Sequence, residues 1–198
     1  DQATRGFMAQ KLIEIINHPG TPENSFPFPK IESDNFEEAI DEAIIMAKKN
    51  IHAIEEVSQP NFKNIVEALE LSSETLDKLT TVFFNLYHAC ADENIEKAAP
   101  SISEKLADYS NDIQLSEKLF QQIKNVYEQK ENLNQEEKKL LEETYKSFTR
   151  NGALLNETDK ENLRKIDREL ASISPQYSSN LLKATNAFKL NITDEKEL

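Results

Sequence analysis

Apolar residues recur every three or four positions through most of this chain. The clearest run is Phe36, Ile40, Ala43, Ile44, Ala47, Ile51 and Ile54, one stripe along about five helical turns. Asp34 followed by Glu37 has the form of a capping box, so the spacing predicts a long helix opening there. Residues 3 to 17 predict a shorter amphipathic helix, with Phe7, Met8, Leu12, Ile15 and Ile16 as its apolar side. Between them, residues 18 to 33 hold Pro19, Pro22, Pro27 and Pro29 and read as an extended connector, pinned by Phe26 and Phe28.

The same period continues downstream. Pro60 disfavours helix at the residue before it, and Phe62, Ile65 and Leu69 then mark one face of a short helix. Ser72 or Ser73 restarts a helix carrying Leu76, Leu79, Val82, Phe83, Leu86, Tyr87 and Cys90. Pro100 marks a boundary or a first-turn proline, and Ser101 with Glu104 predicts a cap for a helix near residues 102 to 112. Ser116 caps a face of Leu119, Phe120, Ile123, Val126 and Tyr127, and Asn134 with Glu137 opens one of Leu140, Leu141, Tyr145 and Phe148. Asn151-Gly152 stops that helix, because glycine tolerates the left-handed conformation. Thr158 with Glu161 starts the last helix, with Leu163, Ile166, Leu170, Ile173, Tyr177 and Leu181 facing the core. Pro175 lies inside that run and predicts a kink or short break.

No stretch alternates with the period of a strand. Only three glycines and seven prolines interrupt 198 residues. The expected fold is therefore all-α: a bundle of long antiparallel amphipathic helices, one kinked near Pro175. Residues 1-33 form an N-terminal helix and connector, and 34-198 the helical domain.

The formal charge of −13 argues against binding nucleic acid, whose phosphates need clustered Lys and Arg, and against adhesion to an anionic membrane. Excess acid reads first as solvated helix faces; a negative field attracting cationic peptides is the sharper alternative. The one cysteine, Cys90, falls on an apolar helical face and excludes an intrachain disulfide. No signal-peptide pattern and no apolar run of membrane length is present, so the expected compartment is the cytoplasm. The first residue is Asp1 rather than Met, so a processed or excised piece of a longer chain is expected. Asn156-Glu157-Thr158 and Asn191-Ile192-Thr193 match the glycosylation triplet, a pattern short enough to arise by chance.

Candidate chemistry is sparse. His18, His52 and His88 form no H-E-x-x-H and no Glu-x-x-His pair. His52 and Glu55 share a helix face, which reads as a solvated pair rather than a metal site. His88 and Cys90 are two apart and face different ways. Carboxylate pairs abound among 36 acidic residues, and nothing singles one out as acid or base. No catalytic, cofactor-binding or metal-ligating residue is expected in this chain.

Several segments, in order, resemble the N-terminal region of the thimet oligopeptidase and bacterial peptidyl-dipeptidase family of zinc peptidases. They are Gln59-Pro60-Asn61-Phe62-Lys63-Asn64-Ile65-Val66-Glu67-Ala68-Leu69-Glu70 with Leu71-Ser72-Ser73, Val82-Phe83-Phe84-Asn85-Leu86, Ala99-Pro100 with Leu106-Ala107-Asp108-Tyr109, Ile113 to Lys124, Phe148 to Leu155, and Asn180 to Ala187. Two departures stand. Phe36-Glu37-Glu38-Ala39-Ile40 lacks the family's P-A-F, and Gln122 sits where an Arg is common.

The resemblance implies a non-catalytic helical wall of a substrate channel that admits short unstructured peptides. It further implies that the zinc ligands and catalytic Glu lie beyond Leu198, in a catalytic domain absent from this chain. Partners would be peptide substrates, reached through the parent enzyme, and that missing domain. A free-standing acidic scaffold that binds other proteins is the alternative from a different class.

Overall fold

The computed structural model describes residues 2–17, 33–89, 92–129 and 132–175. Within them lie α1 (Gln2–Asn17), α2 (Ser33–Glu55), a π-helical turn (Phe62–Glu67), α3 (Ala68–Leu71), α4 (Glu74–Ala89), α5 (Glu93–Gln114), α6 (Glu117–Gln129), α7 (Gln135–Arg150) and α8 (Glu157–Ile173), and no strand. The fold is all-α. The proline-rich connector with Phe26 and Phe28, His18, Cys90, Tyr177, Leu181 and the segment Asn180 to Ala187 fall outside the described residues.

Helix α2 is the hub. Phe36, Ala39, Ile40, Ala43, Ala47, Ile51 and Ile54 are all buried, and the helix packs on α1, α4, α5 and α6. Ala9, Leu12 and Ile16 of α1 join the same core. Pairings across the hub give helix directions. The Phe36 ring meets Phe83 edge-on at 5.7 Å, while the Asn50 side-chain amide donates to the Ser72 carbonyl at 3.1 Å. Position numbers rise on α2 as they fall on α4, so these two run antiparallel.

On the other side, Lys105 Nζ pairs with Glu37 at 2.9 Å and Asp41 at 2.8 Å, and Lys48 pairs with Asp112 at 2.6 Å. Here the numbers rise together, so α2 and α5 run parallel. The two are separated in sequence by the π-turn, α3 and α4, so no short loop forces them to reverse.

Several helix ends match the sequence reading. Asn134 and Glu137 form a reciprocal capping box, each backbone N–H donating to the other's side chain at 2.9 Å. Ser116 Oγ accepts from the Leu119 N–H at 3.1 Å. Helix α7 ends at Arg150 with Asn151 as its C-cap, and Gly152 follows with φ of 105°. Helix α8 ends at Ile173, and Ser174 turns extended (φ −131°, ψ 95°) directly before Pro175. That is the conformation a following proline imposes.

Other ends differ. Helix α2 already includes Ser33, one residue before the expected start at Asp34. Glu37 is taken instead by Lys105 and by the Ser101 hydroxyl, which donates to it. Neither Pro100 nor Ser101 starts a helix. Asp92 caps α5, accepting from the N–H groups of Asn94 and Ile95, and Pro100 sits in the interior. The hydrogen bond lost at Pro100 is outweighed by burial on both sides of it, at Ile95, Ala99, Ile102 and Leu106. Asn156, not Thr158, caps α8 through the Asp159 N–H at 2.9 Å. In the short helix after Pro60, Asn61 and Asn64 form the capping box, and the turn widens to a π-helix that buries Phe62, Ile65 and Val66.

Gln122 closes the far end of α2. Its Nε2 lies 3.4, 3.1 and 2.8 Å from the carbonyls of Ile54, Glu55 and Val57. The last carbonyls of a helix have no partner within the helix, and this buried amide supplies one from α6. Replacing Gln122 by Leu should lower the unfolding free energy in urea titration by about 1–3 kcal/mol, as buried acceptors lose their donor. Gln122→Arg keeps donors at the same place and should lose less than about 1 kcal/mol.

The α2–α5 pairing also sets a pH dependence. Burial works against the Glu37 carboxylate, but the Ser101 and Lys105 hydrogen bonds and the Lys105 charge outweigh it and hold its pKa below the ordinary value. A depressed carboxylate pKa stabilises the fold above its unfolded pKa. That stability is lost as pH falls through the folded value. Stability measured from neutral pH downward should therefore fall less steeply in Glu37→Gln than in the parent chain. The difference should stay below about 1 kcal/mol at this part-exposed site.

Candidate functional site at the α5–α8 seam

Helix α8 packs chiefly on α5, and the contact between them is polar. Asp167 is 5% exposed, and the Asn111 side-chain amide donates to it at 2.9 Å. Arg164 pairs with Asp112 at 2.6 Å, and Arg168 with Asp108 at 3.0 Å. The hydrogen bond to Asp108, then its charge, push the Arg168 guanidinium pKa up. Numbers rise on α8 as they fall on α5, so the two helices are antiparallel.

The residues of α8 that are buried are Lys160, Asp167 and Ala171. The stripe expected to face the core does not. Ile166 is 53% exposed, Leu170 40% and Ile173 80%. The reason is rotational. One residue along a helix is about 100° of turn, so burying Asp167 swings Ile166 to the flank. Hydrophobic period alone cannot tell which face turns inward when a neighbouring helix offers polar partners at matching spacing.

A cleft of about 430 Å³ opens at one end of the seam, between α5, the turn after α7 and α8. Buried Asn111, Gln114 and Asp167 line it, together with Asn151, Leu155 and Leu163. Gly152 shapes the turn. At its φ of +105° a side chain is strained, and a Cβ would lie 2.9 Å from Leu155 Cδ1 and 3.1 Å from Leu115 Cδ2. Amides and one carboxylate engaged by an amide can bind and orient hydrogen-bonding groups. The hydroxyls of Ser110 and Thr149 and the Arg150 side chain line the same cleft.

The histidines do not converge with other donors. His52 is exposed, with Nδ1 3.7 Å from Glu55 Oε2, while Glu55 also accepts from Ser116. His88 lies edge-on to the Tyr87 ring at 5.3 Å. Among the described residues no three His, Cys, Asp or Glu side chains gather as metal ligands. A zinc site needs three or four such groups, and the sequence resemblance implies that those groups lie beyond Leu198. Among the described residues no helix is long and apolar enough to cross a membrane. Asn156, in the first glycosylation triplet, spends its side chain on the α8 cap.

Within the described residues, segments that carry the sequence resemblance occupy helix cores and joints. Phe83 and Phe84 are buried in α4, Gln122 caps α2, and Phe148 to Leu155 span the end of α7 and the Gly152 turn. No family model matches the chain. Curated relatives do. The dipeptidyl carboxypeptidase of Escherichia coli K12 is 31% identical over 174 residues, covering 86% of this chain and 26% of the relative. The dipeptidyl carboxypeptidase of Salmonella typhimurium LT2 is 31% identical over 183 residues, covering 91% and 27%. Oligopeptidase A of E. coli K12 is 23% identical over 181 residues, covering 90% and 27%. This chain thus spans about a quarter of the length of the relatives it matches. On these similarities the chain belongs to the oligopeptidase A-like family of peptidases, whose N-terminal region it represents.

Proposed function

We propose that this chain is the N-terminal, non-catalytic helical part of a zinc-dependent oligopeptidase or peptidyl-dipeptidase. In that role residues 34-198 form a wall of the channel that admits short peptides. The observation that carries the reading is the lopsided coverage: 86–91% of this chain aligns with only 26–27% of two dipeptidyl carboxypeptidases. The remaining length of those relatives is where zinc ligands and catalytic residues would reside. No residue of this chain then takes part in catalysis or holds metal. A cytoplasmic parent enzyme is part of this proposal; of two plant relatives, each 24% identical, one is named as a probable cytosolic oligopeptidase A and the other as an organellar one.

A free-standing acidic scaffold would share the helices and the charge. It gives no account of a chain that aligns almost end to end with a quarter of a peptidase.

The reading makes a direct prediction. The 198-residue chain, purified alone, should hold no stoichiometric zinc by elemental analysis and cleave no short peptide. The same chain continued by its downstream coding sequence should do both. One tight zinc per isolated chain would overturn the proposal, as would a downstream sequence with no H-E-x-x-H.

A further inference from the structure

Helix α8 and the turn before it carry a continuous apolar surface that the described fold leaves uncovered. Leu154 is 70% exposed and Leu155 41%, and both line the cleft with half-buried Leu163. From Leu163 the surface continues through Ile166, Leu170 and Ile173 at steps of three and four, about 15 Å along the helix. The helix cannot roll to hide it. Rolling would break the buried Asn111–Asp167 bond and separate Arg164 from Asp112 and Arg168 from Asp108.

We infer that this stripe is the seat on which the remainder of the longer polypeptide packs, an inference that rests on the function proposed above. Three observations favour that occupant over a second copy of this chain. The relatives extend nearly four times the length matched here, so a large covalently joined neighbour is at hand in them. Each copy carries a formal charge of −13, which opposes close approach of two copies. The stripe exposes on the order of a few hundred Å², below the ~800 Å² per partner of a stable independent complex. A tethered neighbour needs less area, because the tether supplies a high effective concentration.

Thiol accessibility tests the inference. In a Cys90→Ser background, single cysteines replace Ile166, Ile173 and, off the stripe, exposed Glu161. Maleimide labelling is timed in the 198-residue chain and in the polypeptide continued by its downstream sequence. Ile166→Cys and Ile173→Cys should label rapidly in the short chain and about tenfold or more slowly in the long one. Glu161→Cys should label alike in both.

Equal rates at Ile166→Cys in the two chains would overturn the inference. So would slow labelling already in the short chain: concentration-independent slowing would mean the chain covers its own stripe, and concentration-dependent slowing a second copy. Failure of the underlying function looks different. A downstream part that slows labelling but has no H-E-x-x-H and cleaves no peptide would keep the docking surface and remove the peptidase reading.

Discussion

The buried hydrogen bond from Asn111 to Asp167 decides which surfaces this chain presents. Asp167, at 5% exposure, must keep its donors, since leaving a buried acceptor unsatisfied costs about 1–3 kcal/mol. That bond fixes the rotation of α8 on α5, and the Arg164–Asp112 and Arg168–Asp108 pairs fix its position along the axis. With rotation and register both set, the isoleucines and leucines of α8 have one place to go. They lie on the flank, continuous with Leu154 and Leu155. The exposed stripe is thus a consequence of a polar contact elsewhere on the same helix.

Much of the fold was legible in the sequence where a signal was local and had no rival. Asn134 with Glu137, Ser116 and Asn151-Gly152 each act within a few residues, and each ends or starts a helix as read, while Pro175, read as a kink or short break, interrupts the helix at Ser174. The misread ends share a different cause. Asp34–Glu37, Ser101–Glu104 and Thr158–Glu161 have the spacing of capping boxes, but a chain with 36 acids presents that spacing often. Which copy becomes a cap is settled by long-range partners. Glu37 and Ser101 bond each other across 64 residues, and that pairing withdraws both from the local role. Pro100 was misread for a related reason: a helix whose two halves both bury apolar residues tolerates an interior proline.

The face of α8 was illegible for want of one more variable. Period says that a stripe exists, and length says how far it runs, but inward orientation depends on the neighbour. The clue was present as a matched spacing: Asp108 and Asp112 on α5, Arg164 and Arg168 on α8, each pair four residues apart. Two such pairs of opposite charge can zip antiparallel helices together along a polar line. Only with α5 placed does that line outcompete the apolar stripe for the inward position.

The same logic applies to the joints that fall within the segments resembling peptidases. An exposed helical position can change with little effect on stability, so helix surfaces drift. Joints cannot drift as freely. Gly152 must be small because Leu155, Leu115 and Leu163 crowd it, and position 122 must donate because three carbonyls at the end of α2 face it. The glutamine at 122 meets that demand where the family commonly uses arginine, so the requirement is for a donor rather than for a charge. Such joints set the geometry of a scaffold. A scaffold held this tightly, with one polar seam turning apolar surface outward, is suited to positioning a neighbour.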